Sequence, residues 1–202
     1  MARFGIMGGT FDPVHYAHTS LAIATAKQLG LDYVLMMPAY IQPFKRNQDV
    51  SNEAHRVNML NLAIETEGGD LLRLSDYELS LGGISYTYDT IMHFKETNPK
   101  DDIWFIMGSD SFVKINEWHR GEELLKSCNF AVGTRPTNDI DKVRADVEDF
   151  NRILPGEVVL IDKLMLPISS TMVRNAVMED KPISGMVTPL VEEYIYENKL
   201  YI

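Results

Sequence analysis

Short apolar runs alternate with helical patterns along nearly the whole chain, and this alternation is the feature that most restricts the fold. The runs typical of strands are 3–7, 33–37, 71–75, 103–107, 130–134 and 158–161, and the helical patterns are 16–29, 51–65, 88–98, 122–127, 140–154, 172–178 and 189–198. Strands that alternate with helices form a parallel sheet with helices on both faces. The sequence therefore predicts a doubly wound α/β fold, in which ligands bind beyond the carboxyl ends of the strands.

Length, charge and cysteine content restrict the class of protein further. The 202 residues show no internal repeat or linker, so we expect a single domain over 1–202. A formal net charge of −10 argues against a nucleic-acid partner, and no apolar run approaches the roughly 20 residues that span a bilayer. One cysteine, Cys128, excludes an intrachain disulfide and a cysteine-based zinc cluster. We expect a cytoplasmic protein with neither a nucleic-acid nor a membrane partner.

The segment from Gly8 to His18 lies between the first strand and the first helix and reads GGTFDPVHYAH. Two adjacent glycines allow the backbone to approach a ligand closely. The start of the following helix offers unpaired N–H groups and a partial positive charge, which suit a phosphate. The segment matches neither the GxGxxG dinucleotide pattern nor the P-loop pattern. We therefore expect a phosphate-binding loop of another type.

His15 and His18 in this segment are three residues apart and project from the same side of a helix. At a phosphate-binding helix end, two imidazoles can donate hydrogen bonds to a phosphoryl group as charge develops on it. A histidine pair can also bind a metal ion, but the sequence has no HExxH pattern and no third ligand at a motif spacing. We predict no metal site made by the protein alone.

The segment from Ile168 to Arg174 places three hydroxyl residues before the helical pattern that starts near Met172. One hydroxyl is expected there as a helix N-cap whatever the function. Arg174 falls in the first turn of the predicted helix, where a cation opposes the helix dipole. A cation at that position makes sense if an anion binds at the helix end. The sequence thus predicts a second phosphate-binding segment.

Both segments resemble motifs of one superfamily. The first is similar to the signature loop of the HxGH nucleotidyltransferases, in the form found in bacterial nicotinate-nucleotide adenylyltransferases, and the second resembles the ISSTxxR motif of the same proteins. This resemblance implies a Rossmann-like fold of the nucleotidyltransferase type. One departure is that Ala17 replaces the glycine between the histidines, and we expect its methyl group to crowd a ribose or phosphate without closing the site.

Four further segments in the middle of the chain resemble motifs of these adenylyltransferases. Ser85–Thr90 is similar to SYTxDT, whose threonine and backbone N–H groups recognise the pyridine carboxylate. Trp118–Arg120 matches WHR, whose tryptophan stacks on the pyridine ring. Met107–Ser111 is similar to a GADS-like loop, which makes Asp110 a ribose contact or a helix N-cap. Pro43–Lys45 resembles PPHK with Phe44 in place of histidine, so Lys45 is either a phosphate contact or a solvated loop lysine.

The resemblance implies a set of site residues. The ATP site is expected to include Gly8, Gly9, Thr10, Phe11, His15, His18, Gly108, Asp110, Ile168, Ser169, Ser170, Thr171 and Arg174. The nicotinate mononucleotide site is expected to include Thr10, Asp12, Lys45, Tyr86, Thr87, Asp110, Trp118 and His119. The residues expected to act in catalysis are His15, His18, Lys45 and Arg174.

The reaction that the resemblance implies joins ATP to nicotinate mononucleotide and releases pyrophosphate. Mg²⁺ is expected to arrive bound to the polyphosphate of ATP. Three alternatives stay open: another acceptor, such as nicotinamide mononucleotide or pantetheine phosphate; a histidine-dependent metallohydrolase; and a non-catalytic nucleotide sensor disabled by Ala17 or Phe44. The sequence also leaves open whether the protein is a monomer or a homo-oligomer.

Overall fold

The computed structural model describes residues 1–45, 49–134, 139–153, 155–163 and 165–202, and of residue 45 it describes the backbone alone. Within these residues, six parallel strands form one sheet in the order β3-β2-β1-β4-β5-β6. Their bounds are Arg3–Gly9 (β1), Tyr33–Pro38 (β2), Leu72–Leu74 (β3), Asp102–Gly108 (β4), Asn129–Gly133 (β5) and Val158–Ile161 (β6). The order reverses at β1, which pairs with β2 on one side and with β4 on the other. Crevices for ligands form at such a reversal.

Helices connect the strands and cover the sheet. Their bounds are Tyr16–Leu29 (α1), Glu53–Ala63 (α2), Tyr77–Leu81 (α3), Thr87–Thr97 (α4), Ser109–Phe112 (α5), Gly121–Leu125 (α6), Ile140–Ile153 (α7), Ser170–Met178 (α8) and Pro189–Glu197 (α9). Short 3₁₀ helices occur at Pro43–Lys45 and Ile115–Glu117, and a π-helical turn at Ile64–Gly68 extends α2. Along the described residues, no helix is both long and apolar enough to cross a membrane.

Alternate residues of the central strands pack on opposite faces of the sheet. In β4, Trp104 and Ile106 belong to an apolar cluster that also contains residues of α1, α2, α8 and α9. Phe105 and Met107 belong to a second cluster, which contains residues of α4, α6 and α7. This period of two is the geometry of a strand that is buried on both faces. The predicted Rossmann-like, doubly wound fold is confirmed.

Several local differences from the predicted elements concern the carboxyl edge of the sheet. β1 continues through Gly8 and Gly9, because these residues pair in register with Met37 and Pro38 of β2. The glycines therefore form the end of the strand as well as the start of the loop. α8 begins at Ser170, two residues before the predicted start. The short helix α3 was not predicted, since five residues carry too little periodic pattern to be recognised.

Helix α3 carries a buried carboxylate, Glu78, which links it to α4. The hydroxyl of Thr90 donates a hydrogen bond of 2.7 Å to Oε1 of Glu78. Burial raises the pKa of the Glu78 carboxyl, and hydrogen bonds from the Thr90 and Ser85 hydroxyls offset only part of this effect. Glu78 thus binds its proton more tightly in the folded than in the unfolded protein.

This raised pKa predicts how stability depends on pH. The contribution of Glu78 to the free energy of unfolding is fully present below the pKa that the residue has in the unfolded chain, and it is lost as pH rises through the higher pKa of the folded protein. Glu78→Gln has no such titration, so the stability of the variant relative to the original chain should increase as pH rises from 4.5 to 8. Urea unfolding of both proteins across that range measures the difference. A difference that stays constant with pH would contradict the expectation.

Candidate active site

A cavity of about 300 Å³ opens at the carboxyl ends of β1, β2 and β4. It lies at the reversal of the strand order, where the fold places ligands. The lining residues come from several loops and are Gly8, Gly9, Ala39, Gln42, Pro43, Phe44, Glu78, Ser85, Tyr86, Thr87, Phe105, Glu117, Trp118 and His119. The cavity therefore gathers Tyr86, Thr87, Trp118 and His119, which were predicted to bind the mononucleotide.

Aromatic rings give this cavity flat apolar surfaces. The rings of Tyr86 and His119 lie with centroids 4.2 Å apart. Trp118 lies between Phe105, at 6.1 Å, and Phe44, at 6.4 Å. Phe44 is 60% exposed, so it stands at the mouth of the cavity. Surfaces of this kind suit a planar heteroaromatic ring.

The start of helix α4 lies in the wall of the same cavity. Tyr86 is the N-cap of α4, and its side chain does not cap the helix. Tyr86 and Thr87 both line the cavity. The backbone N–H groups at the first turn and the positive end of the helix dipole favour an anionic group in this position. A ring that carries a carboxylate would match both the aromatic walls and the helix end.

The two histidines of the first loop stack at the start of α1. Their ring centroids are 3.7 Å apart, and the ring planes differ by 17°. His15 is the N-cap of α1, and its backbone N–H donates a hydrogen bond of 3.3 Å to Nδ1 of His18. Because a backbone N–H can only donate, Nδ1 of His18 is the acceptor, and Nε2 carries the proton of the neutral ring. The fold thus fixes His18 in the tautomer that donates from Nε2.

Packing around the histidines also places Phe11 and Ala17. Phe11 is buried with a φ of 50°, and its ring packs edge-to-face with the ring of His18, with the centroids 4.9 Å apart. Ala17 is fully buried and belongs to the apolar cluster around α1. Its side chain packs into the core, and the crowding of a ribose or phosphate by Ala17 stays a prediction.

Side chains at the start of α8 tie the second predicted phosphate segment to the first. The Ser170 hydroxyl donates to the carbonyl oxygen of Pro13 at 2.9 Å. Nη1 of Arg174 donates to the carbonyl oxygen of Asp12 at 2.7 Å. The two segments lie more than 150 residues apart in the sequence, and the fold brings them into direct contact.

The hydroxyl residues of this segment have distinct local roles. Ser169 is the N-cap of α8, and its side chain accepts a hydrogen bond of 3.2 Å from the N–H of Met172. The hydroxyl of Thr171 accepts a hydrogen bond of 3.3 Å from Nη2 of Arg174. Because α8 begins at Ser170, Arg174 lies beyond the first residues of the helix, and its guanidinium reaches back toward the loop.

The remaining predicted residues follow neighbouring strands. Gly108 ends β4 and is the N-cap of α5, so Asp110 lies within the first turn and is not the cap. Thr10 donates to Oε1 of Gln42 at 3.2 Å, and Ile168 is buried beside the α8 start. The backbone of Lys45 ends a 3₁₀ helix, but its side chain lies outside the described residues. What each of these residues binds remains a prediction.

Arg56, on α2, is a residue of this site that sequence reasoning missed. It is only 3% exposed. Its Nη1 donates to the carbonyl oxygens of Thr10 and Ala39, both at 2.9 Å, and its Nε donates to that of Ser51 at 3.2 Å. Burial lowers the pKa of its guanidinium, and the nearby Asp12 carboxylate counters this. Nothing in the helical pattern of α2 indicated that the charged side chain of Arg56 is buried.

A set of ligands for a metal ion is not found in the part of the chain that the structure describes. No group of three or more histidine, cysteine, aspartate or glutamate side chains there is arranged to hold one. Cys128 is half-buried, and burial raises the pKa of its thiol to about 12. A thiol with such a pKa is a poor nucleophile at neutral pH.

Comparisons with known proteins agree with this geometry. Residues 6–176 match the cytidylyltransferase-like family. A probable nicotinate-nucleotide adenylyltransferase of Clostridium beijerinckii is 35% identical over the full length of both chains, and the nicotinate-nucleotide adenylyltransferase of Bacillus subtilis is 35% identical over 100% of this chain and 99% of its own. The structure of Plasmodium falciparum nicotinic acid mononucleotide adenylyltransferase complexed with NaAD superposes with a TM-score of 0.81 at 25% identity, over 100% of this chain and 98% of that one. The chain belongs to the cytidylyltransferase-like family, and within it to the nicotinate-nucleotide adenylyltransferases.

Proposed function

We propose that this chain transfers the adenylyl group of ATP to nicotinate mononucleotide, giving nicotinate adenine dinucleotide and pyrophosphate in the biosynthesis of NAD. The observation that carries the proposal is the contact, beside an aromatic cavity, between the two segments that were predicted to bind phosphate. Ser170 and Arg174 bond to the loop that presents the histidines, and Gly8 and Gly9 of the same loop line the cavity. A dinucleotide product needs this juxtaposition of a polyphosphate site and a ring site.

The reaction needs no covalent intermediate, because the phosphate of the acceptor is itself the nucleophile. One of its oxygens forms a bond to the α-phosphorus of ATP while the bond from that phosphorus to the bridging oxygen breaks, and pyrophosphate leaves in line. The protein contributes orientation and electrostatic stabilisation. In this scheme Nε2–H of His18 donates to the phosphoryl oxygens as they gain charge, next to His15. Arg174 and the hydroxyls at the start of α8 hold the departing pyrophosphate.

Mg²⁺ enters this scheme as part of the substrate, bound to the phosphates of ATP. It neutralises charge on the polyphosphate. Several cationic or donor groups of the chain surround the same phosphates in the scheme, namely the histidine pair and Arg174, with Lys45 as a further predicted contact. The ion therefore supplements protein groups and does not depend on a cage of protein ligands.

The acid form of the mononucleotide fits the cavity better than the amide form. The first turn of α4 offers backbone N–H groups beside the aromatic walls. A carboxylate on the ring gains from the helix dipole, whereas a neutral amide gains less. Pantetheine phosphate has no ring to place against Trp118 and Tyr86. The proposal also includes a cytoplasmic location, no macromolecular substrate, and either a monomeric or a homo-oligomeric state.

Acceptor choice can be tested by pyrophosphate release from Mg²⁺–ATP with three acceptors assayed side by side. We expect kcat/KM for nicotinate mononucleotide to exceed that for nicotinamide mononucleotide by about tenfold or more, which corresponds to one favourable charge–dipole contact. We expect no release with pantetheine phosphate. Release with none of the three would exclude this activity and favour a nucleotide sensor.

The role of His18 can be tested with His18→Asn. The shorter side chain retains a polar atom near the position of Nδ1, so it can still accept from the N–H of His15, but it lacks the Nε2 donor. We expect kcat to fall by about 10²–10³-fold, the usual effect of removing one donor to a developing negative charge.

The matched control for this variant is His93→Asn on α4, where the histidine ring stacks on Tyr77 at 4.2 Å. The control should keep the kcat of the original chain. If His18→Asn folds and also keeps that kcat, His18 has no catalytic role.

A further inference from the structure

The last residues of the chain lie against the loop between β1 and α1. The Tyr201 hydroxyl donates a hydrogen bond of 2.6 Å to Oδ1 of Asp12. The other oxygen of that carboxylate, Oδ2, accepts from the backbone N–H of Ser51 at 3.2 Å. Asp12 is only 4% exposed. Its carboxylate is therefore held from two sides, by the C-terminal segment and by Ser51, which lies just before α2.

The same loop is held by side chains at three of its backbone carbonyls. Arg56 donates to the carbonyl of Thr10, Arg174 to that of Asp12 and Ser170 to that of Pro13. All three donors come from helices that follow the loop in the chain. Tyr201 differs from them because it bonds to a side chain, and it is the contact furthest along the sequence, 189 residues from Asp12.

The contact between Tyr201 and Asp12 is strong for physical reasons. A buried carboxylate that loses a hydrogen-bond donor keeps the full cost of its desolvation. Burial and the neighbouring carboxylate raise the pKa of Tyr201, so the phenol remains a neutral donor across the physiological range. Tyr201 and Lys199 also hold left-handed backbone conformations, with φ of 64° and 50°. Residues other than glycine keep such conformations where surrounding contacts enforce them.

We propose that Tyr201 is a positioning residue for adenylyl transfer. Its hydroxyl fixes the carboxylate of Asp12, and this holds the loop in the conformation that presents His15 and His18 to the phosphates before ATP binds. Asp12, whose carboxylate is buried, takes part in the same positioning. The inference rests on the proposed function, since it concerns how the loop of the same site is held in one conformation.

Tyr201→Phe tests this directly, because it removes the hydroxyl and keeps the ring. We expect kcat/KM for Mg²⁺–ATP to fall by about tenfold or more, as for the loss of a buried hydrogen bond to a charged group. The KM for nicotinate mononucleotide should change less than about twofold, since Tyr201 does not line the acceptor cavity. Tyr196→Phe on α9 is the matched control, because Tyr196 is 44% exposed, and it should match the original chain.

A double-mutant cycle separates positioning from a general effect on folding. If Tyr201 acts through Asp12, adding Tyr201→Phe to Asp12→Asn should cost less than Tyr201→Phe costs in the original chain. Fully additive losses would overturn the proposal. So would a kcat/KM for ATP in Tyr201→Phe within twofold of the original value.

Two further measurements keep the test independent of turnover. The first is the binding of α,β-methylene-ATP, a non-reacting analogue, to the protein in the presence of Mg²⁺. Its dissociation constant from the protein should rise in Tyr201→Phe and stay unchanged in Tyr196→Phe. Hydrogen exchange of residues 8–14 should accelerate in Tyr201→Phe while exchange of β4 stays slow. Equal acceleration in both segments would mean global destabilisation and would overturn the proposal.

These readouts also separate the two proposals. If the original chain binds the analogue but transfers nothing to any acceptor, the proposed function fails, and the loop measurements still decide the role of Tyr201.

Discussion

The corner at Asp12 and Pro13 lies between the strand that forms the centre of the sheet and the helix that carries the histidines. Its polar groups cannot be satisfied locally, because the loop is buried and belongs to no regular element. The donors come instead from Arg174, which lies 162 residues away in the sequence, from Ser170 and from Tyr201. Buried backbone and carboxylate groups require such partners. Side chains from the C-terminal part of the chain therefore help to hold the loop that is predicted to bind phosphate.

An acidic protein can still offer a site for a polyphosphate, because donors from distant parts of the chain lie together at one edge of the sheet. The net charge of −10 is distributed over the whole chain, whereas the site concentrates donors at one edge of the sheet. Helices α1, α4 and α8 all begin at this edge, and Arg56 and Arg174 lie behind or beside the loop. Helix N-termini and a few focused cations set the local potential. The charge of the chain as a whole bears on solubility and not on the choice of ligand.

Sequence reasoning reached the fold and the position of the site because both are encoded locally. Apolar runs and helical periods gave all six strands, and α1 has the predicted bounds of Tyr16 and Leu29. The glycines and histidines of the first loop stand next to each other in the sequence, so they could be recognised together. Arg56, Glu78 and Tyr201 could not be recognised in this way, because their roles depend on tertiary contacts. Arg56 contacts backbone carbonyls, Glu78 contacts a hydroxyl on another helix, and Tyr201 contacts a carboxylate at the other end of the chain. Tertiary contacts of this kind leave no periodic trace in a single sequence.

The two departures from the family motifs bear on the alternative of a non-catalytic nucleotide sensor. Ala17 packs into the core, and the helix around it keeps the histidines stacked 3.7 Å apart. The histidine pair is thus stacked, with Nδ1 of His18 as an acceptor, in a chain that has alanine at this position. Phe44 stands at the mouth of the ring cavity, 6.4 Å from Trp118. A phenyl ring at this position offers apolar surface and no hydrogen-bond donor to the cavity. Both departures are therefore compatible with the proposed transfer, in which the histidine pair acts on the phosphates of ATP and Phe44 borders the ring of the acceptor.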